Sequence, residues 1–220
     1  MSPFSAPAVY LITDRRATAG RPLADVVAAA LRGATRFRRA DGRLPLALSL
    51  REKDLTGAEL VALARELGGL AGAAGADLYI NGRFDVALAA GAQGVHLPAD
   101  GPSPAEVRAA APELRIGVST HTTEEVQAAA RAGADFVVFG PVFHTPSKQD
   151  LLATRGLPGL AAAAASAPVP LLALGGITPA SAAVCRNAGA RGLACIRAIM
   201  SAADPEAETT AFLARFMGQT

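Results

Sequence analysis

The chain has little cysteine, almost no lysine, few histidines and no long apolar run, and each shortage excludes something. Two cysteines, Cys185 and Cys195, in 220 residues are too few for the disulfide framework of a small secreted protein. No export segment is read at the start, so a reducing, cytoplasmic setting is expected. The cysteines also fall on different elements, and no Cys/His group has zinc-ligand spacing, so no metal ligand set is expected. Ala-rich stretches such as 159–167 are short and interrupted by proline, far below the ~20 continuous apolar residues of a bilayer span. No membrane partner is expected. A net charge of +2, with basic residues scattered apart from the run Arg36, Phe37, Arg38, Arg39, argues against nucleic acid as well.

What is present is an apolar chain, 51% hydrophobic and 18% charged, long enough for one sizeable core. Short aliphatic runs, each followed by an Ala/Leu-rich stretch of helical period, recur eight times, as parallel βαβ units do. The strands are predicted at 9–13, 46–50, 77–80, 94–97, 115–119, 136–139, 170–174 and 192–196. The helices are predicted at 23–33, 57–72, 84–91, 103–111, 123–132, 157–166, 179–188 and 205–217. The strands lack polar alternation, which fits burial on both faces. Start signals include Ser103 with Glu106, Thr122 with Glu125, and Thr178 before Pro179. Equal spacing, and no G-x-G-x-x-G turn after the first strand, favour a closed (β/α)₈ TIM barrel over a doubly wound open sheet. The fold class is therefore α/β, with one domain expected over 1–220. The Arg-rich segment 35–44 interrupts the alternation and reads as a surface insertion on the face opposite the expected site.

The rare titratable residues fall in one place. Of the 21 basic residues only Lys53 and Lys148 are lysine, and both lie just past a predicted strand. His96 ends the fourth strand, while His121 and His144 follow the fifth and sixth. In a barrel that rim carries the active site, because the βα loops converge there. Two glycine-bearing turns complete it: Leu174-Gly175-Gly176-Ile177-Thr178 after the seventh strand and Ala194-Cys195-Ile196-Arg197 after the eighth. Glycine lets backbone N–H groups approach phosphate oxygens, and Arg197 could add a charge-assisted contact. Gly175, Gly176, Ile196 and Arg197 are therefore the candidate phosphate cup.

Six motifs, in order along nearly the whole chain, resemble the thiamin phosphate synthase/TenI family. They are Leu11-Ile12-Thr13-Asp14, Leu50-Arg51-Glu52-Lys53, Gly94-Val95-His96-Leu97, Gly117-Val118-Ser119-Thr120-His121-Thr122, Phe139 through Lys148 (FGPVFHTPSK), and Leu174-Gly175-Gly176-Ile177. The resemblance implies small phosphorylated thiazole and pyrimidine ligands. In the synthase branch thiazole phosphate displaces pyrophosphate from hydroxymethylpyrimidine pyrophosphate, with Mg²⁺ on the leaving group. In the TenI branch thiazole carboxylate phosphate is isomerised to its aromatic tautomer. By the synthase pattern Arg51, Lys53, Asn81, Thr145, Ser147 and Lys148 would contact pyrophosphate or pyrimidine, and Ser119 would lie near the ring. Thiazole phosphate would sit on the amides of Gly176, Ile196 and Arg197.

The departures from that pattern shape the functional expectation. The two Mg²⁺-holding aspartates of the synthase are replaced by Gly82 and Gly101, with Asp100 offset by one position; a Gln before Arg51 is replaced by Ser49. A cofactor is expected only if the synthase reading holds, and then Mg²⁺. The TenI pattern is also broken, because its proton-transferring His falls at Pro141. His121 and His144 remain candidates for acid/base work, with Lys148 as a third catalytic candidate. The metal positions favour a TenI-like tautomerase or salvage protein, ahead of a synthase with an altered Mg²⁺ site and a non-catalytic thiazole or thiamin phosphate binder.

Overall fold

Parallel strands that are apolar on both faces must be covered outside by helices and filled inside by one another's side chains. The computed structural model describes residues 5–144 and 153–219. The strands are β1 (Val9–Ile12), β2 (Leu46–Leu50), β3 (Asp77–Asn81), β4 (Gly94–Leu97), β5 (Arg115–Thr120), β6 (Phe136–Phe139), β7 (Leu171–Leu174) and β8 (Gly192–Cys195). They close in sequence order, with β8 pairing back onto β1 through Val9–Leu193 and Leu11–Cys195. The helices are α1 (Leu23–Ala34), α2 (Gly57–Ala74), α3 (Phe84–Ala90), α4 (Pro104–Ala110), α5 (Thr123–Arg131), α6 (Gly156–Ser166), α7 (Pro179–Asn187), α8 (Arg197–Met200) and α9 (Pro205–Met217). The chain is a (β/α)₈ barrel, as the alternation predicts.

Two separate apolar clusters follow from the two faces of each strand. Val9, Leu11, Leu48, Leu78, Ile80, Val95, Ile116 and their neighbours pack outward under the helices. Tyr10, Ile12, Ala47, Tyr79, Phe136, Val138, Leu172 and Ala194 fill the inside. The rings of Tyr10, Tyr79 and Phe136 meet edge to face, with centroids 5.4–5.5 Å apart, a geometry worth ~0.5–1.5 kcal/mol per pair beyond burial. Gly117 makes room for them, since a Cβ there would lie 2.3 Å from the Phe136 ring. The barrel is thus a packed core, and a ligand has only its end faces to use.

Local signals place the loops. Thr56 and Glu59 cap α2 reciprocally, as Ser103 and Glu106 cap α4. Ser103 is therefore a cap, and α4 begins one residue later than the sequence suggests. α2 runs on to Ala74 and stops at Gly75, which is left-handed. The short α8 between β8 and α9 was not expected, because four residues are too few to show a period. The Arg-rich segment lies at the strands' N-terminal ends, where it forms more than a surface loop. Arg43 pairs with Asp77 at the start of β3, and Arg115 Nη1 reaches the same carboxylate at 2.7 Å. Arg39 donates to the Ala6 carbonyl at 2.7 Å.

Candidate functional site

The loops after β7 and β8 form one cavity of about 210 Å³, lined by Gly175, Gly176, Ile177, Thr178, Ile196 and Arg197, with Pro141 from the loop after β6. All four residues expected to hold phosphate are there. Among the described residues the amides of Gly176 and Ile177 meet no backbone acceptor. In α8 the N–H groups of Ile199 and Met200 turn back to the Ile196 carbonyl, so those of Arg197 and Ala198, in the first turn, have no helical partner. Unpaired backbone donors around a concave wall suit an oxyanion. Gly176 is fixed by two constraints at once: its φ is +63°, and a Cβ would stand 2.4 Å from the His144 carbonyl oxygen. Arg197 is exposed.

A second cavity, about 370 Å³, opens after β2 and β3 and is lined by Arg51, Glu52, Lys53, Leu55, Asn81, Gly82 and Arg83. The alternation of β2 carried past Leu50 sets Arg51 and Glu52 on opposite sides, and Lys53 is exposed in the turn that follows. Glu52 is buried and is the support that sequence reasoning missed. Its carboxylate accepts from Thr13 Oγ1 at 2.8 Å and from the Arg15 amide at 3.1 Å, and Arg15 Nη1 lies 3.3 Å away. Thr13 Oγ1 in turn accepts from the Arg51 amide at 2.9 Å. The β1 and β2 loops are thereby tied together directly beneath Arg51. Outside, Arg15 grips Asp54 with two 2.7 Å bonds and holds that carboxyl below its ordinary range. The one signal in sequence was an acid sandwiched between Arg51 and Lys53.

Between the two cavities stand the interior residues of β4 and β5. His96 is buried, and its Nε2 lies 2.8 Å from Ser119 Oγ. Burial, with a smaller push from Arg51, lowers the imidazole to a pKa of about 4, so it is neutral near pH 7. His121 is half-buried and its Nδ1 donates to the Gly140 carbonyl, because a carbonyl can only accept. His144 is exposed at the edge of the described residues. Thr145, Ser147 and Lys148 lie outside the described residues. Both cysteines are buried, with Cys185 raised to about 11 and Cys195 raised further, so neither is a poised thiolate.

With this geometry in place, the comparisons with known proteins are decisive as to family. The family model described as thiamine monophosphate synthase matches residues 9–199. The chain belongs to that family. A thiamine-phosphate synthase of Roseiflexus castenholzii is 45% identical over 204 residues, 92% of this chain and 85% of that one. A second, from another Roseiflexus species, is 45% identical over 92% of this chain and 82% of its own length. A solved thiamine phosphate pyrophosphorylase from Pyrococcus furiosus superposes with a TM-score of 0.83 at 31% identity, covering 96% of this chain and 95% of that one. No described helix is long and apolar enough to cross a membrane.

Proposed function

We propose that this protein joins hydroxymethylpyrimidine pyrophosphate to thiazole phosphate, forming thiamin phosphate and releasing pyrophosphate. The observation that carries the reading is a pair of separate anion-ready stations on one rim. Amides with no backbone partner among the described residues line the β7/β8 cavity, and Arg51, Lys53 and Asn81 line the β2/β3 cavity. A reaction between two phosphorylated substrates needs both; an isomerase of one phosphorylated thiazole needs only the first. In the joining step the thiazole nitrogen bonds to the pyrimidine methylene carbon as the bond from that carbon to pyrophosphate oxygen breaks. Charge then builds on the departing oxygens, where Arg51 and Lys53 are available to stabilise it. Ser119 would face the ring between the stations, and Thr145, Ser147 and Lys148 would complete the pyrophosphate side.

Pro141 and two of the three histidines support the same choice. A tautomerase needs a proton carrier at the thiazole, yet the position that serves this in the TenI pattern is Pro141, which lines the phosphate cavity. His96 is buried against Ser119, and His121 has its Nδ1 engaged by Gly140. The relatives named thiamine-phosphate synthase point the same way. The order expected from the metal positions alone, tautomerase before synthase, is therefore reversed.

The synthase pattern implies Mg²⁺ on two aspartates, and the residues here do not fit one. Gly82 and Gly101 offer no side chain, and a Cβ at residue 101 would stand 3.0 Å from the Pro98 ring, which would have to give. Asp100 is exposed, and among the described residues no three His, Cys, Asp or Glu groups come together. Charge neutralisation accordingly falls to Arg51, Lys53 and the partners named above.

The test is direct. Purified protein given both substrates should produce thiamin phosphate and pyrophosphate one for one, read by thiochrome fluorescence and phosphate release. Turnover of thiazole carboxylate phosphate to its aromatic tautomer, with no thiamin phosphate, would instead establish the TenI-like activity.

A further inference from the structure

The neutral imidazole of His96 carries one N–H, and the packing around it decides which nitrogen bears it. The rings of Tyr10 and Phe136 pack beside it, tilted by 36° and 51°, with centroids 5.6 and 6.2 Å away. Nδ1 is buried with no hydrogen-bond partner among the described residues, whereas Nε2 is 2.8 Å from Ser119 Oγ. If the proton sat on Nδ1, a buried donor would be orphaned, the rarer and costlier of the two faults, at ~1–3 kcal/mol. With the proton on Nε2, only a lone pair goes unmet and the Ser119 oxygen accepts. A serine hydroxyl has a single proton, so once its oxygen accepts from His96, that proton remains for the half-buried, mouth-facing side.

We infer that His96 is a positioning residue that commits Ser119 to donate its hydroxyl proton to an acceptor atom, such as an azine nitrogen, on the heteroaromatic substrate. The inference rests on the reading above for the identity of that substrate. The chemistry it sets is one of selection. A ring nitrogen with a free lone pair is accepted, and an analogue presenting C–H or N–H at that point leaves the Ser119 proton unpaired and is rejected. The group that faces His96 with charge is Arg51, and it opposes protonation of the ring, so the neutral donor state is kept.

Two measurements test this. Two-bond ¹H–¹⁵N spectra of the intact protein should show His96 protonated at Nε2 and bare at Nδ1, unchanged between pH 5.5 and 8. A proton on Nδ1, or on both nitrogens, overturns the proposal whether or not the protein makes thiamin phosphate. The second is a cycle in KM for hydroxymethylpyrimidine pyrophosphate. His96→Leu should raise KM about tenfold in the native background and less than twofold in Ser119→Ala. His96→Gln, whose side-chain amide can donate in place of Nε2, should restore KM to within about threefold. Equal penalties in both backgrounds, or no rescue by Gln, would reduce His96 to core packing and refute the inference. If no thiamin phosphate forms at all, the function reading fails while the spectra still decide the tautomer.

Discussion

The two proposed anion stations are built from different materials. The β7/β8 station is backbone: amides with no backbone partner among the described residues, held by a glycine whose φ of +63° and 2.4 Å approach to a carbonyl disfavour anything larger. The β2/β3 station is side chain: Arg51 and Lys53 on strand-end positions, steadied from below by Glu52, Thr13 and Arg15. A backbone cup presents the same dipoles whatever the neighbouring side chains do, and so suits a group that must only be held. Long cations can follow charge as it moves onto a leaving group, and so suit a group that departs. The comparison can be broken from either side.

Arg51→Ala carries the largest expected effect, because it removes a preorganised charge from the departing pyrophosphate. Loss of one such contact commonly costs ~2.7–4 kcal/mol, so kcat/KM should fall about a hundredfold or more while thiazole phosphate binding is unchanged within about twofold. A parallel loss at the thiazole side would mean that the stations are not separate.

Next comes acid. His96 has its pKa depressed to about 4 by burial, against 6.5 for the free side chain. The unfolded chain therefore takes up this proton first as pH falls, and stability present above pH 6.5 is lost between pH 6.5 and 4. At ~1.4 kcal/mol per unit the loss amounts to roughly 3 kcal/mol. Urea midpoints measured across that window should fall in the native protein and fall less in His96→Gln. Ser119, Tyr10, Phe136 and Arg51 face the ring and supply no carboxylate to reverse the sign.

Gly176→Ala should rank third. It forces a left-handed residue against the His144 carbonyl, costing ~1–3 kcal/mol of stability, and it should weaken thiazole phosphate binding at least about tenfold in calorimetry. Arg197→Ala should be the smallest, within about threefold in affinity, because an exposed cation is screened and the cup's donors are backbone. A drop of a hundredfold at Arg197 would move the phosphate station from backbone to side chain.

The legible parts of the sequence were those with a period or a scarce residue. Alternating aliphatic runs and Ala-rich helices gave the barrel, and among the described residues Lys53, His96, His121 and His144 fall at or just past the C-terminal ends of strands. Gly175-Gly176 and Ile196-Arg197 marked the two loops that line one cavity, because glycine after a strand lets backbone come close. Glu52 and Thr13 were not legible, since a buried acid between two cations reads as surface until β1 and β2 are seen to be neighbours. His96 was found but not its role, because its partner Ser119 is 23 residues away and they meet only through β4–β5 register. Gly82 and Gly101 speak to a metal, whereas the proposed choice of reaction rests on two separate cavities that appear only in the folded chain.

That pair of stations is best tested by titrating inorganic pyrophosphate calorimetrically into the protein, first alone and then saturated with thiazole phosphate. Two separate stations predict one pyrophosphate per chain in both titrations, with an affinity that differs by less than about threefold and falls at least about tenfold in Arg51→Ala. Displacement of thiazole phosphate by pyrophosphate, or loss of the pyrophosphate heat once thiazole phosphate is bound, would show a single shared anion site and contradict the account.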